Sequence, residues 1–263
     1  MEQKNNFLEN KTALIIGGTG GIGLGIAKEL AKKNVSLILQ GGHSLKKLQD
    51  ALFLCTKVST KDKLLSTKHS GFILDLSFQK NIENIFKCEE LSNALNSCDI
   101  LVLSHGAFLQ KDILESSVSD WENIVFSNLT IPGIFISKVI PHFISQKFGK
   151  ILCLGGTRTD SVRGFKTNPI YGAAKTGLSS LVKSVAQKYS KDSITCNLLC
   201  PGFVETEYLS QNQKDSYSLK MPLKKLISVE EISQFAVSIL ESSSLNGALV
   251  NFDQGWSPNF FET

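Results

Sequence analysis

Tyr171 and Lys175 are the two side chains in this sequence whose types and spacing most directly indicate chemistry. Residues four apart lie on one face of a helix, so the tyrosine hydroxyl and the lysine ammonium can point into one site. A neighbouring ammonium stabilises phenolate, and we therefore expect it to lower the tyrosine pKa from about 10 toward neutrality. Such a tyrosine can give a proton to a carbonyl oxygen or take one from an alcohol. The spacing is common by chance, so its meaning depends on the rest of the chain.

A glycine-rich turn near the start of the chain indicates a phosphate-binding site. It follows a predicted strand over residues 12–16 and precedes a predicted helix. Glycines allow a tight turn, a close approach of the backbone to a pyrophosphate, and close packing of helix on strand. The free N–H groups at the helix start then attract the phosphates. The residues expected to contact a dinucleotide here are Gly17, Thr19, Gly20, Gly21, Ile22 and Gly23.

The end of the second predicted strand bears on the choice between the two nicotinamide cofactors. An acidic residue there would bind the adenosine ribose and repel a 2′-phosphate, but residues 39–44 contain none. His43 and Ser44, with Lys46 or Lys47, could hold the extra phosphate. Alternatively, His43 is an ordinary loop residue and the lysines are solvated. We expect NADP as the cofactor, with NAD as the alternative.

Apolar runs of strand length alternate with longer segments of helical period along the chain. This order predicts an α/β fold, a Rossmann-type doubly wound parallel sheet of about seven strands with helices on both faces. No break in composition divides the chain, so we expect one domain over residues 1–263, with a short substrate lid near 205–221. The predicted strands are 12–16, 35–39, 72–74, 100–103, 151–154, 195–199 and 248–252. The longer predicted helices are 45–54, 82–95, 121–144, 171–189 and 229–240.

With these motifs in this order, the chain resembles the short-chain dehydrogenase/reductase family, in the group that includes the 3-oxoacyl-carrier-protein reductases. The resemblance extends from Lys11 to Trp256. It implies that Tyr171 and Lys175 are catalytic, together with Asn128, which would link the lysine to a water chain. It also implies further cofactor contacts, at Asp75, Leu76, Ser104, Gly106, Tyr171, Lys175, Pro201, Gly202, Val204 and Thr206.

The chain departs from the family pattern in three places. Ile16 stands where the family usually has threonine, and Leu103 and Ser104 stand where it has asparagines. The family's catalytic serine falls on Gly156, which has no side chain. We expect the neighbouring Thr157 to replace it, and Thr159 and Ser161 to be solvated. In the alternative, Thr157 faces away, and a backbone N–H or a water polarises the substrate carbonyl.

Composition excludes several other classes of protein. The net charge of +4 is spread over many lysines and does not indicate nucleic-acid binding. No run of 18 apolar residues predicts a membrane span, and no histidine has the partners of a metal ligand. Six cysteines without a Cys-x-x-Cys pair favour a reducing, cytoplasmic compartment. Apolar residues beyond one face of the helices at 121–144 and 171–189, such as Phe126 and Phe135, predict a homo-oligomer, with a tetramer preferred.

Two functions remain open at this point. The first is an NAD(P)(H)-dependent oxidoreductase that transfers hydride between nicotinamide and a small-molecule carbonyl or alcohol, with 3-oxoacyl thioesters as a candidate substrate class. The second is a dinucleotide-binding regulatory or structural subunit with little or no catalysis. The glycine at position 156 favours the second function, whereas Tyr171, Lys175 and Asn128 favour the first.

Overall fold

The computed structural model describes residues 7–59, 67–77 and 82–256, and within them seven strands form one parallel sheet. In chain order, and including two short strands outside that sheet, the described strands are β1 (Thr12–Ile16), β2 (Ser36–Gly41), β3 (His69–Ile73), β4 (Ile100–Leu103), β5 (Gly149–Leu154), β6 (Ile194–Pro201), β7 (Val204–Glu205), β8 (Ile227–Ser228) and β9 (Leu249–Phe252). The sheet order is β3-β2-β1-β4-β5-β6-β9, and β7 pairs with β8 in a separate two-stranded ribbon. The predicted seven-stranded parallel sheet is confirmed.

Helices connect the strands and cover the sheet. They are α1 (Gly21–Lys32), α2 (Leu45–Val58), α3 (Ile82–Ile85), α4 (Glu89–Leu95), α5 (Val118–Val125), α6 (Ile131–Gln146), α7 (Pro169–Tyr189), α8 (Gln211–Lys220) and α9 (Val229–Glu241). Buried residues of α1, α2 and α9 pack on one face of the sheet, and those of α4, α6 and α7 pack on the other. Neighbouring residues of one strand face opposite layers: Ile15 belongs to the first layer, and Ile16 to the second. The central strands are therefore buried on both sides, which explains their continuous apolar runs.

The chain leaves β1 toward β2 and β3 on one side, and returns to β4 on the other side of β1. Strand order reverses between β1 and β4, and in open α/β sheets ligands bind in the crevice at such a point. The backbones beyond the two strands meet there, because Ser104 N donates to Ile16 O at 3.0 Å. The fold thus brings the glycine-rich turn after β1 beside the loop after β4.

Three predicted helices differ from the observed ones, and the simplest difference is that the helix predicted over 45–54 continues to Val58. The helix predicted over 82–95 is interrupted at Phe86–Cys88, because the paired acids Glu89 and Glu90 favour a new helix start. The helix predicted over 121–144 begins three residues earlier, at Val118. Ser117 caps that start by accepting a hydrogen bond from Asp120 N at 3.2 Å. A π-helical turn, Phe126–Thr130, separates α5 from α6.

The stretch formed by α5, the π turn and α6 bears on membrane insertion. Within the described residues, Val118–Gln146 is long and apolar enough to cross a membrane by length and composition alone. However, 56% of its most apolar window is buried inside the protein, and Phe135, Val139 and Phe143 pack in the core. Core helices pass the same test, so we interpret this stretch as part of the core.

Candidate active site

Tyr171 and Lys175 occupy the first two turns of α7. The helix begins at Pro169. Proline suits the first helical position because its φ is fixed near the helical value and because an N–H at that position would have no hydrogen-bond partner within the helix. Lys175 is buried, and its Nζ donates to Leu154 O, at the end of β5, at 2.7 Å. The same Nζ lies 5.9 Å from the centre of the Tyr171 ring. Lys175 therefore reaches the carboxyl end of β5 on the same helix face as Tyr171, and the helical spacing predicted that shared face.

The expected lowering of the Tyr171 pKa is wrong. Burial raises the pKa of the Tyr171 hydroxyl above its usual 10.0, and burial lowers the pKa of Lys175 to about 8. The Leu154 carbonyl, rather than the phenol, accepts the lysine's hydrogen bond. Loss of hydration disfavours both charged forms. Tyr171 is consequently a neutral phenol near neutral pH.

Gly156 lies directly against Tyr171, where the family pattern has serine. A methyl carbon placed on Gly156 would lie 2.8 Å from Tyr171 Cε1 and 3.2 Å from its hydroxyl oxygen. A serine at this position would therefore face Tyr171 but would require the ring to shift. Counting along the chain from β5 assigned the family's serine position to residue 156. The contact between Gly156 and Tyr171 agrees with that assignment.

The two threonines after Gly156 are both engaged with backbone groups. The Thr157 hydroxyl donates to Pro201 O at 2.7 Å, which uses its only proton. Thr159 is fully buried rather than solvated. Its hydroxyl accepts from Gly156 N at 3.0 Å and donates to Gly156 O at 2.8 Å. Thr159 thus fixes the Gly156 backbone, whereas Ser161 is exposed as expected.

Asn128 is fully buried in the π turn, an element frequently found at functional sites. Its Nδ2 donates to Ala107 O at 2.8 Å and to Ile124 O at 3.0 Å. Its Oδ1 has no hydrogen-bond partner among the described residues. A methyl carbon placed on Gly106 would clash with this oxygen and would lie 3.4 Å from Lys175 Nζ. The absence of a side chain at Gly106 therefore lets Asn128 and Lys175 approach the same space beside it.

Glycine is required at two positions of the turn after β1. Gly17 has φ +78°, and a methyl carbon on it would lie 3.0 Å from His105 N. A methyl carbon on Gly23 would collide with the Gly17 carbonyl oxygen. The turn therefore packs against both the loop after β4 and the first turn of α1. Its N–H groups and this glycine-lined approach fit a dinucleotide pyrophosphate.

Sequence reasoning missed Gln40, which anchors this turn from the end of β2. Gln40 is buried, its Oε1 accepts from Gly17 N at 2.8 Å, and its Nε2 donates to Leu74 O at 2.6 Å. A polar residue in an otherwise apolar, buried strand was the available signal. The strand itself ends at Gly41, so no acid occupies its end.

The candidates for the adenosine end of a cofactor lie near one another. His43 Nε2 is 3.7 Å from Asp75 Oδ1, and the His43 side chain is 77% exposed, so it is free to contact a ligand. Ser44 caps α2 by accepting from Lys47 N at 3.2 Å. Asp75 Oδ1 also accepts from Ser77 N at 2.9 Å, whereas the Leu76 side chain packs in the core. Leu76 can therefore offer a ligand only its backbone.

Residues after β6 close the site. Gly202 N donates to Phe252 O at 2.9 Å, and the Val204 side chain is buried. Thr206 Cγ2 lies 3.7 Å from a methyl carbon placed on Gly21, so this segment reaches the glycine turn. Phe108, which sequence reasoning missed, packs edge-on against Tyr171 with ring centroids 5.1 Å apart. Its ring forms an apolar border beside Tyr171.

Comparisons with known proteins agree with this geometry. The family model for short chain dehydrogenases matches residues 11–216. The 3-oxoacyl-[acyl-carrier-protein] reductase of Buchnera aphidicola subsp. Schizaphis graminum is 31% identical over 258 residues, which cover 94% of this chain and 98% of that protein. Carbonyl reductase family member 4 of Xenopus laevis is 30% identical over 250 residues, again 94% of this chain and 98% of that protein.

A solved structure shares the fold at lower identity. An Agrobacterium tumefaciens protein with bound NADP, provisionally assigned as a 2-deoxy-d-gluconate 3-dehydrogenase, has a TM-score of 0.77. It is 22% identical, and the match covers 97% of this chain and 99% of that one. The family model and the curated relatives together place the chain: it belongs to the short chain dehydrogenase family, the NAD(P)-dependent oxidoreductases that act on carbonyl and hydroxyl groups.

Proposed function

We propose that this protein is an NADP(H)-dependent carbonyl reductase whose substrates are 3-oxoacyl thioesters. The observation that carries the proposal is the convergence of Tyr171, Lys175 and Asn128 at the carboxyl edge of the sheet, beside a glycine turn suited to a pyrophosphate. The substrate class rests on the relatives at 31% and 30% identity, which are named as a 3-oxoacyl-carrier-protein reductase and a carbonyl reductase.

The chain's own residues supply the proton and hold the reactants. When bound, the nicotinamide cofactor supplies the hydride. Tyr171 gives its proton to the substrate oxygen, and its raised pKa keeps that proton in place near neutral pH. The charged form of Lys175, which predominates below its pKa of about 8, orients the nicotinamide ribose. Asn128 Oδ1, buried and without a partner among the described residues, accepts a hydrogen bond from a water beside Lys175.

Cofactor contacts are proposed for the full set of candidates. The pyrophosphate is assigned to Gly17, Thr19, Gly20, Gly21, Ile22 and Gly23, and the adenine to Asp75 and the Leu76 backbone. The nicotinamide end is assigned to Ser104, Gly106, Pro201, Gly202, Val204 and Thr206. His43 and Ser44 lie at the adenosine end.

NADP is proposed over NAD because β2 ends in Gly41, without an acid, and His43 is exposed. The structural relative with bound NADP supports this choice. No arginine offers a bidentate contact at the end of β2, so we expect a preference of only about tenfold, or about 1.4 kcal/mol. Fluorescence titration with NADPH and NADH measures it, and tighter NADH binding would reverse the assignment.

Gly156 favours a second function, a nucleotide-binding subunit with weak catalysis. A side-chain donor beside Tyr171 would stabilise the developing negative charge on the substrate oxygen, and removing such a donor costs about 3–4 kcal/mol. Thr157 is the proposed replacement, but its hydroxyl proton is held by Pro201 O. For Thr157 to serve, that bond must break when substrate binds.

Assembly and location are proposed on separate grounds. Phe126 and Phe135, which prompted the expectation of an oligomer, are buried in the core. Better support comes from a cavity of about 730 Å³ between α6 and α7, lined by Ile136, Ile140, Pro141, Ile144, Leu181, Val185 and Tyr189 among others. A second copy covering this groove would give a homodimer, and two such pairs would give the proposed tetramer.

A cytoplasmic location is proposed from the cysteines. All six are free, as expected of a protein in the cytoplasm.

One assay tests the proposed function. NADPH oxidation is followed under identical conditions with three substrates. They are a 3-oxoacyl thioester, a simple ketone, and the carbonyl form of a polyol. The proposal requires thioester turnover above that of the simple ketone. NADPH binding without turnover on any substrate would instead support the second function.

A further inference from the structure

Glu207 holds the position at the start of α1 where an anion is expected to bind. Its Oε1 accepts a hydrogen bond from Gly21 N, the first residue of α1, at 2.8 Å. A methyl carbon on Gly20 would lie 2.7 Å from the same carboxylate oxygen. Glu207 is 186 positions away in sequence from Gly21, so the contact is made by the fold.

Tyr208 covers the neighbouring part of the turn. A methyl carbon on Gly20 would clash with the Tyr208 hydroxyl, and one on Gly21 would lie 3.1 Å from Tyr208 Cε2. The Tyr208 side chain is 65% exposed. The pair Glu207–Tyr208 thus lies across the opening of the glycine turn from the solvent side, without being fixed in the core.

An N–H group at a helix start attracts negative charge, because it lacks an intrahelical acceptor and lies at the positive end of the helix dipole. In dinucleotide-binding folds this position receives the pyrophosphate. The Glu207 carboxylate is an anion that already satisfies Gly21 N–H. A carboxylate and a diphosphate cannot share that donor without repelling each other.

We propose that Glu207 is an internal competitor of the cofactor diphosphate: its carboxylate caps α1 and must leave Gly21 before a nucleoside diphosphate binds there. The inference rests on the proposed binding of a dinucleotide at the glycine turn. It assigns to the segment after β6 a role in weakening cofactor affinity. Tyr208 leaves with Glu207, which opens the turn.

Glu207→Gln and Glu207→Ala test the proposal, with Glu205→Gln as a charge-matched control. Glu205 is also exposed, but its carboxylate pairs with Lys214 Nζ at 3.0 Å and does not contact the turn. The readouts are the dissociation constants of NADPH and of ADP, measured by calorimetry at fixed ionic strength. ADP carries the diphosphate without the nicotinamide and so probes the contested position alone.

We expect both Glu207 variants to bind NADPH and ADP about three- to tenfold more tightly than the wild type. The interaction of one negative charge with a helix start changes a dissociation constant by about this factor. The control should stay within twofold. Hydrogen exchange at the Gly21 amide of the nucleotide-free protein gives an independent readout, and exchange should be faster in Glu207→Ala.

The failures of the two proposals are distinguishable. If the wild type binds NADPH but the Glu207 variants bind no more tightly, the inference is wrong while the proposed cofactor binding stands, and the turnover assay decides the proposed function separately. An equal gain in Glu205→Gln would assign the effect to net charge and also overturn the inference. If the wild type and all variants bind neither NADPH nor ADP, both proposals are wrong.

Discussion

The turn after β1 and the loop after β5 reach the same edge of the sheet, but they depend on different parts of the chain. The turn works through its backbone: Gly17 adopts φ +78°, and Gly23 packs against the Gly17 carbonyl. The loop after β5 needs a side chain beside Tyr171, and its position there is Gly156. Its hydroxyls, on Thr157 and Thr159, bind backbone carbonyls instead.

This difference separates two properties that the fold usually combines. Cofactor binding depends on N–H groups that any sequence with the right glycines can provide, whereas activation of a carbonyl depends on individual side chains. The first region retains its glycines in this chain, whereas the second has no side chain at position 156, the position beside Tyr171. Substitutions in the two regions should affect different measurements.

Tyr171→Phe is expected to have the largest effect, confined to turnover. It removes the proton donor and keeps the ring that packs against Phe108. General acid catalysis contributes about a hundred- to ten-thousandfold, so kcat should fall by that factor, while NADPH affinity stays within about twofold. Single-turnover kinetics and NADPH titration check both parts. Unchanged turnover in Tyr171→Phe would remove the tyrosine from the mechanism.

Lys175→Met is expected to reveal the buried charge through the pH dependence of stability. The pKa of Lys175 is lowered from 10.5 to about 8 by burial, so the unfolded chain binds this proton more tightly than the folded protein. Wild-type stability therefore rises with pH between about 8 and 10.5 as the folded lysine loses its charge. Over this window the wild type should gain about 3 kcal/mol of unfolding free energy relative to Lys175→Met.

Urea denaturation at several pH values measures that difference. Lys183→Met, at an exposed position of the same helix, is the control and should show no such trend. A difference between wild type and Lys175→Met that is constant from pH 8 to 10.5 contradicts the assigned pKa shift.

Gly23→Ala is expected to damage the turn after β1 rather than the chemistry. Its methyl group would collide with the Gly17 carbonyl, a backbone group that cannot move alone. Overpacking of this kind costs about 2 kcal/mol of stability, and NADPH affinity should fall with it. Gly20→Ala is the matched comparison, because its methyl group meets only the movable ends of Glu207 and Tyr208. Equal losses in both variants would show that backbone packing does not define the turn.

The sheet and its helices could be predicted because their signals are local. Continuous apolar runs such as β4, buried at every residue, indicate a strand covered on both faces. The pairing of Tyr171 with Lys175 followed from helical spacing alone. The glycine turn was recognisable because its place between a strand and a helix limits its conformation.

The remaining features depend on contacts between distant positions. Gln40 reaches Gly17 across 23 residues, and Glu207 reaches Gly21 across 186. The direction of the Tyr171 pKa shift depends on how deeply the hydroxyl is buried, which the local sequence does not encode. Thr159 was expected in solvent because it lies farther along the loop than Thr157, but the fold turns it inward toward Gly156.

Thr157→Val has the smallest expected effect and decides how the loop after β5 works. The variant keeps the shape of the side chain and removes the hydroxyl that donates to Pro201 O at 2.7 Å. If holding Pro201 is its main role, the variant loses about 1 kcal/mol of unfolding free energy, the usual worth of one hydrogen bond, and kcat changes by less than about threefold. The geometry supports this outcome. A fall in kcat of about a hundredfold or more, with stability unchanged, would instead establish Thr157 as the substitute for the family's serine. Thermal unfolding and steady-state kinetics on the same preparations distinguish the two, and Thr157→Ser, which keeps the hydroxyl, should restore whichever property Thr157→Val has lost.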